Sequence, residues 1–305
     1  AVTTVSNLTA VGYQALTANT SGTHNTAVGY LALTSNTTGT HNTAVGYAAG
    51  DAITTGAQNT VVGYGAGGAM TTGGENTVIG AYALDANTTG GLNTALGHSA
   101  LGANTTASNN TAVGYHALKV NTTGASNLAV GYGALDANTT GSYNIGIGEN
   151  ALGALTTGSQ NVAIGRSSLD TTEAAVGNVA VGHHTLDALS TGNYNTALGH
   201  QAGAAITTGG YNTAVGHQSA YAATTGANNT TVGYLAGGAI TTGDNNVAMG
   251  YQALDSNTTG DENIAIGWQA GAASTAGGSF IAIGYGAMNT GNVSGGYNVG
   301  IGRYA

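Results

Sequence analysis

The residues able to do chemistry are few and regularly placed. Eight His and twelve Asp or Glu stand against three cations, Lys119, Arg166 and Arg303, in a chain of 305 residues without cysteine. A nucleophile needs a base and an orienting group within hydrogen-bond reach, and Ser and Thr are too abundant here for nearness to one to carry information. His98, His183, His200 and His217 stand where most of their equivalents are Tyr. His24 and His41 precede Asn at a turn, while His116 and His184 follow the aromatic place by one residue. They read as members of a repeated surface pattern. No catalytic residue is expected, and the chain does not read as an enzyme.

Metal chemistry meets the same objection. His183, His200 and His217 lie at equal spacing and are expected to stack, but no second ligand type accompanies them. Asp51, Asp85, Asp136, Asp170, Asp187 and Asp255 share one place in the pattern, one per repeat and often missing. A calcium-binding β-roll repeats its Asp more densely, so these read as solvated turn residues. Neither a metal nor another cofactor is expected.

Charge excludes further classes. The formal net charge is −9, and three cations cannot build a basic face for phosphate, so nucleic acid is not an expected partner. No run of 18 apolar residues exists, so no helical membrane insertion is expected. A Thr/Asn/Gly-rich, Lys-poor chain fits the outside of a cell or virion, and an extracellular setting is expected. The opening AVTTVS carries no signal-peptide pattern.

These residues must be positioned by a repeat. The aliphatic residue before a constant Gly recurs 17 residues apart from Val11 to Ile283, then after 18 at Ile301. Numbering one unit from Asn25 to His41, position 4 is aliphatic and position 5 is Gly in all 18 copies. Positions 2 to 4, as in Thr26-Ala27-Val28, alternate with the period of a strand. Position 4 is expected to point into a core: Val28, Val45, Val62, Val113, Val130, Ile147 and Ile164. Gly29, Gly46, Gly63, Gly114 and Gly131 at position 5 are expected to adopt a backbone angle, or a close approach, that no Cβ permits. A second Gly, at position 15, marks another corner.

Positions 9 and 12 vary together. Leu33 goes with Asn36 and Leu135 with Asn138, but Gly50 goes with Ile53, Gly67 with Met70, Gly203 with Ile206 and Gly237 with Ile240. Volume lost at one is gained at the other, so both side chains are expected to reach one part of the core. Seventeen residues are too few for a helix pair, and two fixed Gly disfavour helices. The spacing predicts an all-β fold: one parallel β-solenoid (β-roll) domain over residues 1–305, of about 18 coils, each with two or three short strands, stacked about 4.8 Å apart.

Stacking turns equal positions into files. Asn25, Asn42, Asn59 and their successors at position 1 are expected to form an amide ladder. Tyr13, Tyr30, Tyr47, Tyr64, Tyr115, Tyr132, Tyr234, Tyr251, Trp268 and Tyr285 at position 6 form an aromatic file. It suits inter-rod contact, stacking of the rings on one another, or a ligand surface for glycans. Asn36, Asn87, Asn104, Asn121, Asn138 and Asn257 each begin NTT, a glycosylation sequon, which would set sugars in a row if modified. Thr at positions 13 and 14 would offer an ice-binding face only if paired rows faced outward, and adjacent strand residues face opposite ways.

The phrase NTAVG followed by a second small-residue turn resembles the head repeats of trimeric autotransporter adhesins, and is similar to repeat tracts of phage tail fibres and secreted bacterial surface proteins. The resemblance runs along the whole chain and implies a left-handed parallel β-roll. AVTTVS reads as positions 11 to 16 and the closing GRYA as positions 5 to 8, so no terminal cap is expected, which fits either a fibre protomer or a piece of a longer repeat protein. The expected function is therefore structural, an extracellular fibre built from copies of the chain stacked head to tail, with lateral association as a second contact. The competing expectation is the shaft or head of an adhesin or tail fibre that binds cell-surface glycans.

Overall fold

The computed structural model describes residues 6–290 and 296–305. The register assigned to residues 1–5, Val2 included, lies outside them. The chain is an all-β parallel β-solenoid with one three-residue strand per repeat, and none of the described residues is helical. Two compact units are distinguished, residues 1–150 and 151–305. The first carries β1 (Thr9–Val11) to β9 (Ile145–Ile147), the second β10 (Val162–Ile164) to β18 (Val299–Ile301). Within each unit successive strands pair in parallel with equal positions opposed, as in Thr26↔Thr43, Ala27↔Ala44 and Val28↔Val45.

The expected second and third strands are replaced by stacked turns. Their backbone is nonetheless hydrogen-bonded from coil to coil. Thr20 N–H donates to Thr37 O at 2.9 Å, Leu31 N–H to Tyr13 O at 2.9 Å and His41 N–H to Thr23 O at 3.0 Å. The corners are sharp because positions 7, 9 and 17 take left-handed angles, as in Leu31 (φ 59), Leu33 (φ 50) and His41 (φ 58). That conformation costs a β-carbon residue about 1–2 kcal/mol, and packing between coils must supply it. Gly131 shows why position 5 is Gly. Its φ is +140, and a Cβ there would stand 2.5 Å from the Gly148 carbonyl oxygen of the next coil.

The core differs from expectation in its phase. Val28, Val45, Val62, Val113, Val130, Ile147 and Ile164 do not point inward. They are half-buried or exposed, with Val45 and Ile164 each at 37%. The residue that faces in is the Ala between positions 2 and 4, fully buried at Ala27, Ala44, Ala112 and Ala129. The interior is thin, so the small member of each Thr-Ala-Val triplet fits it and the branched neighbours lie outside. There they cover one another along the ladder, as cross-strand pairs do.

Bulk enters the core from the far side. Ala32 and Leu33, Ala83 and Leu84, and Ala117 and Leu118 at positions 8 and 9 are fully buried. Where position 9 is Gly, position 12 fills the space, and Ile53 and Met70 are fully buried too. Near the end of the second unit the exchange uses a third place. Gly271 and Ser274 leave room, and Phe280 at position 1 fills it, its Cε2 2.9 Å from where a Gly271 Cβ would stand.

Asn at position 1 forms a spine in the core of each unit, broken in the second where Phe280 takes that place. Asn42 Nδ2 donates to Gly56 O at 2.8 Å across its own coil, and Asn42 Oδ1 accepts from the Asn59 N–H at 3.0 Å and from Asn59 Nδ2 at 3.0 Å. One side chain thus holds its own coil closed and binds the next. Each such bond contributes about 1 kcal/mol net, and an abandoned partner costs about 1–3 kcal/mol.

Candidate functional site

The aromatic file of position 6 is the most extended arrangement of functional side chains on the surface. In the first unit Tyr13, Tyr30, Tyr47 and Tyr64 stack with ring centroids 5.1, 5.1 and 4.9 Å apart and planes within 13°. The next residue at this position is Ala81, and its absent ring is supplied by Tyr82 one residue on. Tyr82 meets Tyr64 edge-on at 5.4 Å and His98 at 6.0 Å. His98, Tyr115 and Tyr132 then continue at 5.4 Å steps.

The second unit holds seven rings in an unbroken stack: His183, His200, His217, Tyr234, Tyr251, Trp268 and Tyr285, at 4.5 to 6.1 Å. An Arg closes each end. Arg166 Nε donates to His183 Nε2 at 2.9 Å, and the Arg303 guanidinium lies 5.4 Å from the Tyr285 ring centre. Because the faces are spent on one another, what meets water is ring edges and hydroxyls. The coil spacing, close to the offset-stacking distance of aromatic rings, produces this.

The His residues belong to these stacks. His183, His200 and His217 lie face to face with planes within 13°, so their nitrogens run parallel and do not converge on a point. Among the described residues no three of His, Cys, Asp and Glu are grouped as a metal site. His183 Nε2 accepts from Arg166, which favours the neutral ring. Its pKa is lowered by desolvation, then by the charges of His184, Arg166 and His200. The His116 pKa is lowered by desolvation, then by Lys119 and His98. His98 Nδ1 lies 3.0 Å from Ser99 Oγ, the nearest approach to a base–nucleophile pair, but His98 is exposed and no carboxylate orients the imidazole among the described residues. His24 and His41 make a second small stack at 4.6 Å.

The acids of position 10 lie along another edge. Asp51, Asp85, Asp136 and Asp255 have pKa values raised by burial. Gly explains the crowding: Asp85 Oδ1 would stand 2.6 Å from a Cβ on Gly68, so the carboxylate leans over the neighbouring coil. Asp187 instead pairs with His184 Nδ1 at 2.9 Å.

The sequons are turned inward. Asn36, Asn87, Asn104, Asn121, Asn138 and Asn257 are fully buried. Their amides form a second ladder, as where Asn104 Nδ2 donates to Asn87 Oδ1 at 3.0 Å and to Ala107 O at 3.0 Å. No row of sugars can be carried by the folded chain. The Thr rows divide as well: position 13 hydroxyls donate to carbonyls of the next coil, Thr37 Oγ1 to Thr54 O at 3.1 Å, and only position 14 faces water.

Several participants are silent in the sequence. Tyr82 stands one place out of register, Arg166 and Arg303 sit among rings only after the coils stack, and Tyr221 stands at position 10, where the other repeats have no ring. The one available signal was the gap at Ala81 followed at once by Tyr82. Comparison with protein-family models, with curated proteins and with solved structures finds no match to this chain.

Proposed function

We propose that this protein is a structural β-solenoid of an extracellular fibre that assembles from copies of itself. One observation carries the reading: in each unit the outward face of the strand ladder presents an aliphatic row. Ile79, Leu96, Ile164, Leu198, Met249 and Ile266 are all exposed there, with Leu198 at 49%. Flat, ordered rows of branched aliphatics rimmed by Thr favour burial against a second such face.

Two further features support it. Each coil is complementary to itself: Asn42 accepts from the coil on one side as Asn25 accepts from Asn42 on the other. The contact that joins coils within a chain therefore suits end-to-end joining of chains. The outside setting is supported by a Thr-rich exterior with three cations in the whole chain, which leaves a trypsin-like protease few places to cut. The resemblance to adhesin heads and tail-fibre repeats supports the same class. Its glycan-binding version needs free ring faces, which the position 6 stacks do not offer.

Electron microscopy and sedimentation test the reading. Filaments or bundles are expected, with a 4.8 Å axial repeat in diffraction. Leu96→Glu combined with Leu198→Glu should dissolve lateral bundles while leaving the melting temperature nearly unchanged. A parent chain that stays monomeric at every concentration would reject the proposal.

A further inference from the structure

A notch interrupts the second unit at positions 7, 10 and 11. Its volume is about 460 Å³, and it is lined by His184, Asp187, Gln201, Ala204, Ala205 and Tyr221, with Ala188 and Ala222 at its rim. It exists because Ala204 and Ala205 provide only methyl groups between Asp187, one coil away on one side, and Tyr221, one coil away on the other. Asp187 and Tyr221 are thus two coil spacings apart, about 9.6 Å. That gap accepts one saturated six-membered ring in van der Waals contact with an aromatic face, with hydrogen-bond reach left over to a carboxylate.

The wall chemistry is specific. Tyr221 is the sole aromatic residue at position 10 in the chain. Its in-file neighbours, Ala204 and Gly238, have no ring to stack on it, in contrast to the paired faces of position 6. Opposite, His184 Nδ1 holds Asp187 Oδ2 at 2.9 Å and so orients the carboxylate. On the floor, Gln201 Oε1 accepts from Gln218 Nε2 at 3.0 Å, which fixes the amide and leaves its NH2 to donate. A free ring face, an oriented acceptor pair and a fixed amide donor suit a ring with apolar C–H on one face and hydroxyls on its edge. Negative charge at Asp187, on a chain of net −9, disfavours phosphorylated or carboxylated ligands.

We infer that the notch between Asp187 and Tyr221 is a binding site for one neutral hexopyranose unit. The sugar lies on the Tyr221 face, Asp187 accepts from two vicinal hydroxyls, and Gln201 donates to a third oxygen. The site is independent of fibre formation, since its residues lie away from the strand face.

Saturation-transfer NMR on the full chain tests this with methyl glycosides of glucose, galactose, mannose and N-acetylglucosamine, each at about 10 mM, an affinity range suited to a single small ring. At least one glycoside is expected to receive saturation, strongest at the ring protons that face Tyr221. Tyr221→Ala and Asp187→Asn should each weaken its binding about tenfold or more. Ala204→Tyr, which fills the notch and leaves the core untouched, should abolish it. Tyr132→Ala, a position 6 ring in the other unit, should change nothing. Silence from all four glycosides, or binding that survives Ala204→Tyr, would overturn the assignment. Circular dichroism of each variant separates a lost site from a lost fold.

Discussion

Ile53 Cδ1 lies 2.8 Å from the point where a Cβ on Gly50 would stand, with Leu33 Cδ2 of the preceding coil 3.4 Å from the same point. One side chain has taken the space its neighbour gave up. The exchange has a polar consequence: with Ile at this place no amide faces Asn36, and Asn36 Oδ1 is left buried without a partner. Gly50→Leu alone should overpack the coil and cost about 1–3 kcal/mol. Ile53→Asn alone should leave a cavity costing about 2–4 kcal/mol. Together they rebuild the other coil type and offer a donor to Asn36 Oδ1, so the double variant should melt within a few degrees of the parent. A denaturant double-mutant cycle checks this, and simple additivity would reject the shared-volume account.

Neighbouring residues in one strand should answer differently to the same change. Ala129 is fully buried and Val130 only half-buried. Ala129→Asp places an unpaired charge in a thin core and should cost more than about 4 kcal/mol or prevent folding. Val130→Thr should stay within about 1 kcal/mol of the parent. Thermal melts of the pair decide the phase of the strand; the reverse order of effects would restore the inward reading of position 4.

Acidification should act in two opposite senses. The pKa values of His183 and His116 are lowered in the fold, so their contribution is present above the unfolded value near 6.5 and is lost as pH falls through the folded values. Those of Asp51, Asp85, Asp136 and Asp255 are raised, so their contribution is complete below the unfolded value of 3.8 and is lost as pH rises through the folded values. Melting temperature should therefore pass through a minimum between the unfolded carboxylate value of 3.8 and the unfolded imidazole value of 6.5. Replacing the four Asp by Asn should raise stability at pH 7 and remove the recovery on the acid side. A monotonic fall from pH 7 to pH 4 in the parent would contradict the assignment.

Glycosylation should be incompatible with the fold. Asn104 and Asn121 each donate twice inside the core. Secreted from a glycosylating host, the soluble folded fraction should have the unmodified mass, with any sugar-bearing chains in the aggregated fraction. A folded chain carrying glycans at these Asn would contradict the inward orientation.

Much of this architecture can be read from spacing alone. A period of 17, a glycine never replaced at position 5 and an Asn at position 1 of nearly every repeat sufficed for a stacked parallel solenoid with internal ladders. The reciprocal bulk of positions 9 and 12 revealed a shared core volume without any structure, because close packing makes one residue's size depend on the other's. Equal spacing also implied the aromatic file, since residues one coil apart must touch.

The thickness of the coil was decided only in three dimensions. A period-2 triplet such as Thr43-Ala44-Val45 is consistent with either face turned inward. Hydrophobicity favours Val, but the opposite wall, already carrying Leu or Ile, leaves little depth, so the middle residue turns inward, usually Ala as at Ala44 and a larger Val61, Val78 or Thr231 in three coils, while Val45 is exposed. For the same reason the sequon Asn, polar and at a turn, lies inside: the turn carbonyls that close each coil need a donor that the backbone cannot supply. Which rings stack, where Arg166 and Arg303 end the file, and where Ala204 opens a notch beside Tyr221 depend on neighbours 17 residues away, whose contact is made by the stacking of coils and by nothing local in the chain.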